Sequence, residues 1–298
     1  MSEQQKEKLS IEEIRFYSRK SMTTWLYDAL VDWGIISLAI ALFYTYPHII
    51  TFVFSVLIVG NRQHALTVLG HEASHFCLSE NKNTNDLLSN IFAFWPLGIT
   101  TSGYRNVHIS HHNHMNTESD PELAHRSARK PQYDLPIKLP KVLYYAFSDL
   151  FGFSIKDYLI IVTFSKPSTR REYIPLIMVH IAFILVSIIS NYWWIPAIWY
   201  VSLITSFMMF FRLRTFFEHL GTEDTHRIHL SWIAKQILAP HNIWYHWEHH
   251  KYPTIPYYNL PKIRRILNKV PVLSLKNLII FYEHSKEIES GQVLKLKN

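Results

Sequence analysis

The sequence predicts an all-α integral membrane fold, with about four transmembrane helices in two hairpins and a cytoplasmic helical cap. Three observations lead there. Long apolar runs alternate with strongly charged stretches, although overall mean hydropathy is near zero. The turns that join the runs in pairs, near Pro47 and Asn191, carry no Lys or Arg, whereas the opposite flanks hold most of the 30 basic residues. The chain's 18 histidines are unevenly spread, and the three clusters they form all fall on those basic flanks.

Residues 1–24 are expected to form a cytoplasmic N-terminal segment, 25–267 the membrane domain and 268–298 a cytoplasmic C-terminal tail. The first 20 residues mix both charges and lack an apolar core, so they do not read as a secretory signal. The first apolar stretch covers 34–46 and is lengthened upstream by 25–33. The second covers 49–60 and continues less purely to 69. The third is 174–189 and the fourth 192–211. A spanning helix needs about 20 mostly apolar residues, and the first three are marginal by that measure. Buried helices of a soluble protein would have similar lengths; the flanking charges favour the bilayer. Trp193 and Trp194 fit an interfacial belt.

Two further apolar stretches are expected to dip into the interface without crossing. Pro96 and Gly98 interrupt 87–103, and Asp149 and Lys156 interrupt 142–164. With the positive flanks inside, both termini, the stretch 124–172 and all three histidine clusters are cytoplasmic.

Composition excludes several functions. The single cysteine, Cys77, rules out an internal disulfide framework and a Cys-ligated iron–sulfur cluster, and reads as a small buried apolar residue. The net charge of +7 suits nucleic acid, an anionic membrane surface or an acidic protein. No helix-turn-helix, zinc-finger or RNA-binding signature accompanies it, so nucleic acid is set aside.

The clusters carry the chemistry. They are His71 and His75 (HEASH), His108, His111 and His112 (HISHH), and His246, His249 and His250 (HWEHH). Residues three and four apart share a helix face, so each cluster aims its imidazoles at one spot. Eight imidazoles exceed what one metal can hold, which implies two metals sharing a site; imidazole suits iron, zinc, copper and nickel alike. HEASH alone also matches the H-E-x-x-H pattern of zinc proteases, with Glu72 as general base. That reading leaves the other six clustered histidines without a purpose. It also wants an intramembrane aspartate, and Asp28 and Asp32 lie only at the start of the first apolar stretch. Glu72 serves equally as a carboxylate that fixes a ligand imidazole in its metal-binding tautomer, and Glu248 sits comparably in the third cluster. A non-enzymatic metal-binding membrane protein is a further reading.

In the order, spacing and placement of the three clusters relative to the hairpins, the chain resembles the integral-membrane fatty acid desaturase superfamily, which includes hydroxylases and carotenoid ketolases. RQHALTVLGHEASH, HHNHMNTESDPE and HNIWYHWEHHKYPTIPYYNLPKI carry the likeness, which extends over nearly the whole chain. It implies two iron ions held by His71, His75, His108, His111, His112, His246, His249 and His250. It also implies O₂ as co-substrate, electrons from an external donor, and removal of hydrogen from an unactivated C–H bond. By the same resemblance His219, in RTFFEHLG, is a ninth ligand. Some members carry an asparagine four residues upstream of that histidine; Thr215 stands there here, and Asn242, four residues before His246, is a candidate supporting contact. The third box opens with His246, whereas front-end desaturases usually carry glutamine.

The implied reaction is O₂-dependent desaturation of an acyl chain of a lipid or carrier-bound substrate, with hydroxylation or ketolation of a lipid, carotenoid or small apolar molecule as the alternative. The sequence shows no dinucleotide fingerprint, Cys-rich cluster or appended haem domain. Ferredoxin and cytochrome b5 are typical donors of the family, and the basic stretch between Arg126 and Arg171 is a candidate dock that also reads as headgroup contact. Asp120 is a candidate partner of a ligand histidine; it and Glu118 also read as turn residues before Pro121. Trp95, Tyr104 and Arg105 are candidates to approach a headgroup. His64 reads as structural, His114 and His125 as solvated, and His180 as bonded within the bundle. His226, His229, His241 and His284 read as surface or cap residues.

Overall fold

A computed structural model describes residues 6–285; positions 1–5 of the expected N-terminal segment and 286–298 of the expected tail lie outside them. About two-thirds of the described residues are helical, and the strands among them are two of two residues each. They divide into two units. One comprises Ser21–His108 and Ala146–Arg212, and the other comprises 6–20, Ile109–Tyr145 and 213–285.

The first unit is built on α2 (Met22–Thr45) and α3 (Ile49–Ser74), which form a hairpin through Tyr46, Pro47 and His48. Ser21 caps α2 by accepting from the Thr24 amide. Trp25 Nε1 donates to Leu69 O at 3.0 Å, and Ser55 Oγ to Ala39 O at 2.7 Å, so the two helices run antiparallel. The second hairpin is α9 (Arg170–Ile189) followed by α10 (Trp194–Ile204) and α11 (Ser206–His219). Asn191 turns it at φ 65°, and Thr205 breaks the returning helix at φ −123°, ψ −89°. Met22–Thr45, Ile49–Ser74, Arg170–Ile189 and Trp194–His219 are each long and apolar enough to cross a membrane. A 24-residue helix reaches about 36 Å, against a hydrocarbon core of about 30 Å.

The third and fourth spans begin close to where the apolar runs predict, and all four extend past them on the side carrying the histidines. Their outward faces stay apolar: Leu38, Ile49, Ile50 and Ile189 are each more than 70% exposed. Such a continuous apolar exterior fits lipid and would be a liability in water.

α3 is the centre of this unit and is buried continuously from Gln63 to Ser74. Two of its polar residues reach partners on neighbouring helices, as an apolar environment requires. Arg62 donates to Asp32 on α2 at 3.0 Å, and Gln63 donates to Trp199 O on α10 at 3.0 Å. Gly60 lets α3 approach α11 closely. A Cβ there would overlap the Ser206 side chain and lie 2.6 Å from the Phe207 amide nitrogen. Small residues at crossings are how apolar helices bring their backbones together.

The interrupted stretch 87–103 is a broken helix. After α4 (Lys82–Ser89) come a π-helical segment, Asn90–Phe94, and a 3₁₀ turn, Trp95–Leu97, closed by Gly98 at φ 75°. The broken backbone is satisfied by tryptophans: Trp33 Nε1 donates to Phe92 O at 2.9 Å, and Trp199 Nε1 to Pro96 O at 3.1 Å. Their rings stack, with centroids 5.5 Å apart. The stretch 142–164 is likewise two helices, α7 (Leu139–Asp149) and α8 (Ile155–Phe164), parted at Gly152 with φ 78°. Asp149 pairs with Arg212 at 2.6 Å, both buried. His180 bonds Tyr200 Oη at 2.8 Å, inside the bundle.

The second unit begins with α1 (Ile11–Tyr17), a helix closed by a capping box between Ser10 and Glu13. It also holds α6 (Pro121–Ser127), α12 (Trp232–Leu238), α13 (His246–Lys251), α14 (Leu260–Ile266) and α15 (Leu275–His284). A parallel pair, β1 (Ile228–His229) with β2 (Leu273–Ser274), joins Ile228 to Leu273. Long-range hydrogen bonds bind its segments: Leu9 N to Tyr252 Oη (3.0 Å), Asn259 Nδ2 to Tyr17 O (2.8 Å) and Tyr282 Oη to Phe216 O (2.7 Å). Residues 273–284 of the expected tail are thus a strand and a helix whose Leu278 and Tyr282 are buried.

Replacing Gly60 with Leu should destabilise the first unit by about 1–3 kcal/mol through overpacking. The check is a lowered thermal midpoint of the detergent-solubilised chain; an unchanged midpoint would mean that α3 and α11 do not approach this closely.

Candidate metal centre

Three histidines converge in the first unit. His71 lies in the last turn of α3 and His75 is its C-cap residue. Phe76, at φ 58°, then turns the chain away. The helix end is fixed by Arg105 of α5 (Thr101–His114), which donates to Ser74 O at 2.8 Å and Ala73 O at 3.1 Å and pairs with Asp86 at 2.6 Å. Its guanidinium also lies over the Phe76 ring, 3.9 Å from the centroid. Asn85 Nδ2 donates to the same Ala73 carbonyl at 2.8 Å. Against this fixed end, His108 brings Nε2 to 2.9 Å from His75 Nε2. One ring nitrogen from each of His71, His75 and His108 lies within 4.8 Å of the others. Tyr104 stacks on His108 with centroids 5.4 Å apart. Tyr104 and Arg105 therefore help to hold the histidine-bearing helix ends, while Trp95 is half-buried in the 3₁₀ turn.

Six more converge in the second unit. The end of α5 supplies His111 and His112, the end of α11 supplies His219, and α13 supplies His246, His249 and His250. Nitrogens of His111, His219 and His250 lie within 4.8 Å of one another. His246 Nε2 is 2.8 Å from His219 Nε2 and 3.1 Å from His250 Nε2, and His249 Nε2 is 3.3 Å from His112 Nε2. α5 is the element that contributes to both groups, with His108, His111 and His112 spaced by three and four along one helix.

The donor chemistry fits a metal. A neutral imidazole has one N–H and one lone pair, so two Nε2 atoms face to face need one proton between them. His246 Nε2 faces two such neighbours at once. Charging them all is disfavoured by burial and mutual repulsion. His112 is pushed down to about 4 by burial and by the His111 charge. His246 is held well below the usual histidine range by burial and then by His250 and His219. Neutral imidazoles with converging lone pairs are the form that binds a transition metal.

His111 is the exception. Burial opposes its charge, but Glu122 and Asp120 outweigh that and raise its pKa. Asp120 Oδ1 lies 2.9 Å from His111 Nδ1, and both side chains are buried. Asp120 is also the N-cap of α6, accepting from the amides of Asn116 and Glu122, each at 2.9 Å. Against the effect of its burial, these bonds and the His111 charge hold its carboxyl below the usual range. The turn role and the histidine-partner role thus fall on one residue, while Glu118 is exposed.

Of the other candidates, some sit differently from expectation and some as expected. Glu248 is fully buried, but its oxygens are taken by Arg227 at 2.6 Å and Arg264 at 2.7 and 2.8 Å, so it anchors α13 to β1 and α14 and supports no ligand imidazole. Asn242 donates to Tyr257 O at 3.3 Å from a left-handed turn at φ 58°, again without reaching a histidine. Glu72 Oε1 is 3.6 Å from His71 Nδ1. His226, expected at the surface, is buried and bonded to Leu220 O at 2.7 Å. Arg126, expected in a basic dock, is buried and donates to Asn116 Oδ1 at 3.0 Å. His64 and Cys77 are buried, and His114 is exposed.

Glu218, outside the three clusters, is buried beside His219, and its carboxylate lies within 4.8 Å of ring nitrogens of His219 and His246. Its signal was local: Arg214 stands four residues earlier on the same helix, and the two pair at 2.7 Å.

Comparison with known proteins places this arrangement. A curated relative, dihydrorhizobitoxine desaturase from Bradyrhizobium elkanii, is 27% identical over 249 residues, covering 73% of this chain and 68% of its own. The sequence model of the fatty acid desaturase family matches residues 16–275, which take in all three histidine clusters, His219 and every apolar helix long enough to span a bilayer. The chain belongs to the fatty acid desaturase family.

Proposed function

We propose that this protein uses O₂ and two iron ions to introduce a double bond into an acyl chain, with electrons supplied by a separate donor protein. The family itself implies an oxidoreductase that uses iron and O₂. The observation that carries the finer reading is His246 Nε2, which meets His219 Nε2 at 2.8 Å and His250 Nε2 at 3.1 Å, two contacts that the one proton or lone pair on that nitrogen cannot both satisfy. In this reading the clustered histidines hold the two iron ions, and α5 carries ligands of both groups on adjacent turns. The ligands are His71, His75, His108, His111, His112, His219, His246, His249 and His250.

Bound iron and O₂ would supply the oxidant that takes hydrogen from an unactivated C–H bond. The balance is one O₂, two electrons and two protons consumed, two hydrogens removed from adjacent carbons and two waters released. The protein's own groups orient and insulate. Asp120 accepts the Nδ1 hydrogen of His111 and leaves Nε2 for the metal. The Arg105 clamp fixes His71 and His75 at the end of α3. The apolar helices take the alkyl chain and exclude water from the reacting carbon. Ferredoxin and cytochrome b5 have the right chemistry as donors. The absence of Lys and Arg from the two hairpin turns supports a cytoplasmic placement of the termini and the metal site. That the relative is a desaturase favours loss of two hydrogens over insertion of oxygen.

Purified protein should contain about two iron ions per chain; one zinc and no iron would overturn the reading. Asp120→Asn should lower iron affinity or turnover by about 10–100-fold, measured by iron retention against a chelator, while the helical circular dichroism is unchanged. Incubation with acyl lipids, or with dihydrorhizobitoxine, under ¹⁸O₂ and an electron donor should give products two hydrogens lighter without label. Label in the product would make the enzyme a hydroxylase.

A further inference from the structure

We propose that Glu218 is the carboxylate that positions His246, accepting its Nδ1 hydrogen so that Nε2 is presented to the metal. The proposal rests on the di-iron reading above.

Three observations point to it. His246 Nε2 is committed to the cluster, 2.8 Å from His219 Nε2 and 3.1 Å from His250 Nε2, so Nδ1 is its outer nitrogen. That Nδ1 is buried and has no hydrogen-bond partner among the described residues. A buried N–H left in that condition is costly, and metal-bound histidines regularly give it to a carboxylate or carbonyl. Glu218 Oε1 stands 3.6 Å from this atom. A side-chain rotation of a few tenths of an ångström brings the two into hydrogen-bond range.

The carboxylate that the sequence offers for this task, Glu248, is two residues away on α13 itself, but Arg227 and Arg264 occupy it. Glu218 comes from a different element. It follows Arg214 by one helical turn on α11, and the Arg214 guanidinium at 2.7 Å keeps its charge supported in the buried site. It directly precedes His219. One side chain therefore ties the ligand at the end of α11 to the first ligand of α13 and raises the basicity of His246 as a donor.

The test compares iron-loaded wild type with Glu218→Gln, Glu218→Asp and Glu218→Ala by iron content, by the rate of iron loss to a ferrous chelator, and by the Mössbauer spectrum of ⁵⁷Fe. Glu218→Gln should release iron about 10-fold faster, with one of two iron signals altered, and Glu218→Asp should recover part of the difference. Glu218→Ala should retain close to one iron in place of two. Arg214→Gln serves as the structural comparison, since it breaks the same ion pair and leaves the carboxylate. If Glu218→Gln and Arg214→Gln lower the thermal midpoint equally, and the iron release rate and spectrum of Glu218→Gln match wild type, Glu218 is only half of a buried ion pair and the proposal fails. Should Glu218→Ala not fold, Glu218→Gln, nearly identical in shape, decides the matter. Wild-type protein that binds no iron would instead overturn the underlying di-iron reading.

Discussion

A buried imidazole nitrogen needs either a proton or a cation, and this constraint organises both units of the chain. In each unit, Nε2 atoms are held against one another at about the length of a hydrogen bond. Burial keeps the rings outside the membrane spans, such as His112 and His246, from charging in compensation. A ligand set made of neutral rings leaves a bound metal ion's charge largely intact, unlike a carboxylate-bridged pair. The surrounding carboxylates then matter through the outer nitrogens, and Asp120 shows how one residue can cap a helix and serve a histidine together.

Arginine does much of the remaining construction. Arg62 with Asp32, Arg105 with Asp86 and Arg212 with Asp149 are ion pairs between helices with little or partial solvent exposure, and Arg214 with Glu218 is a buried pair within α11. Arg227 and Arg264 share Glu248. In low dielectric such pairs add little net stability against a hydrophobic substitute, but breaking one is costly, so those between helices fix which helix faces meet. The net charge of +7 thus overstates what the surface offers to a partner, because several of its cations are consumed inside. Arg126 is one, which removes it from the basic stretch considered for docking a donor.

Much of the fold was legible because its signals are local. The spans follow from apolar length and flanking charge. Pro96, Gly98 and Asp149 mark interruptions where the helices do break. The histidine clusters follow from spacing by three and four, and Asp120 from its place before Pro121 at a helix start. His219 was different: a lone histidine at a helix end carries no spacing signal, and only the family likeness singled it out.

The sequence by itself therefore determined the all-helical class, the four apolar helices and the identity of the clustered imidazoles, since each depends on neighbours within one or two helical turns. Tertiary structure decided which carboxylate serves which group. Glu248 lies inside the third cluster, yet arginines 16 and 21 residues away claim it. Glu218, 28 residues from His246 in sequence, stands 3.6 Å from its ring. Spacing along a helix reveals which side chains share a face. It cannot reveal which partner arrives from another helix, because that depends on how chain segments distant in sequence pack together.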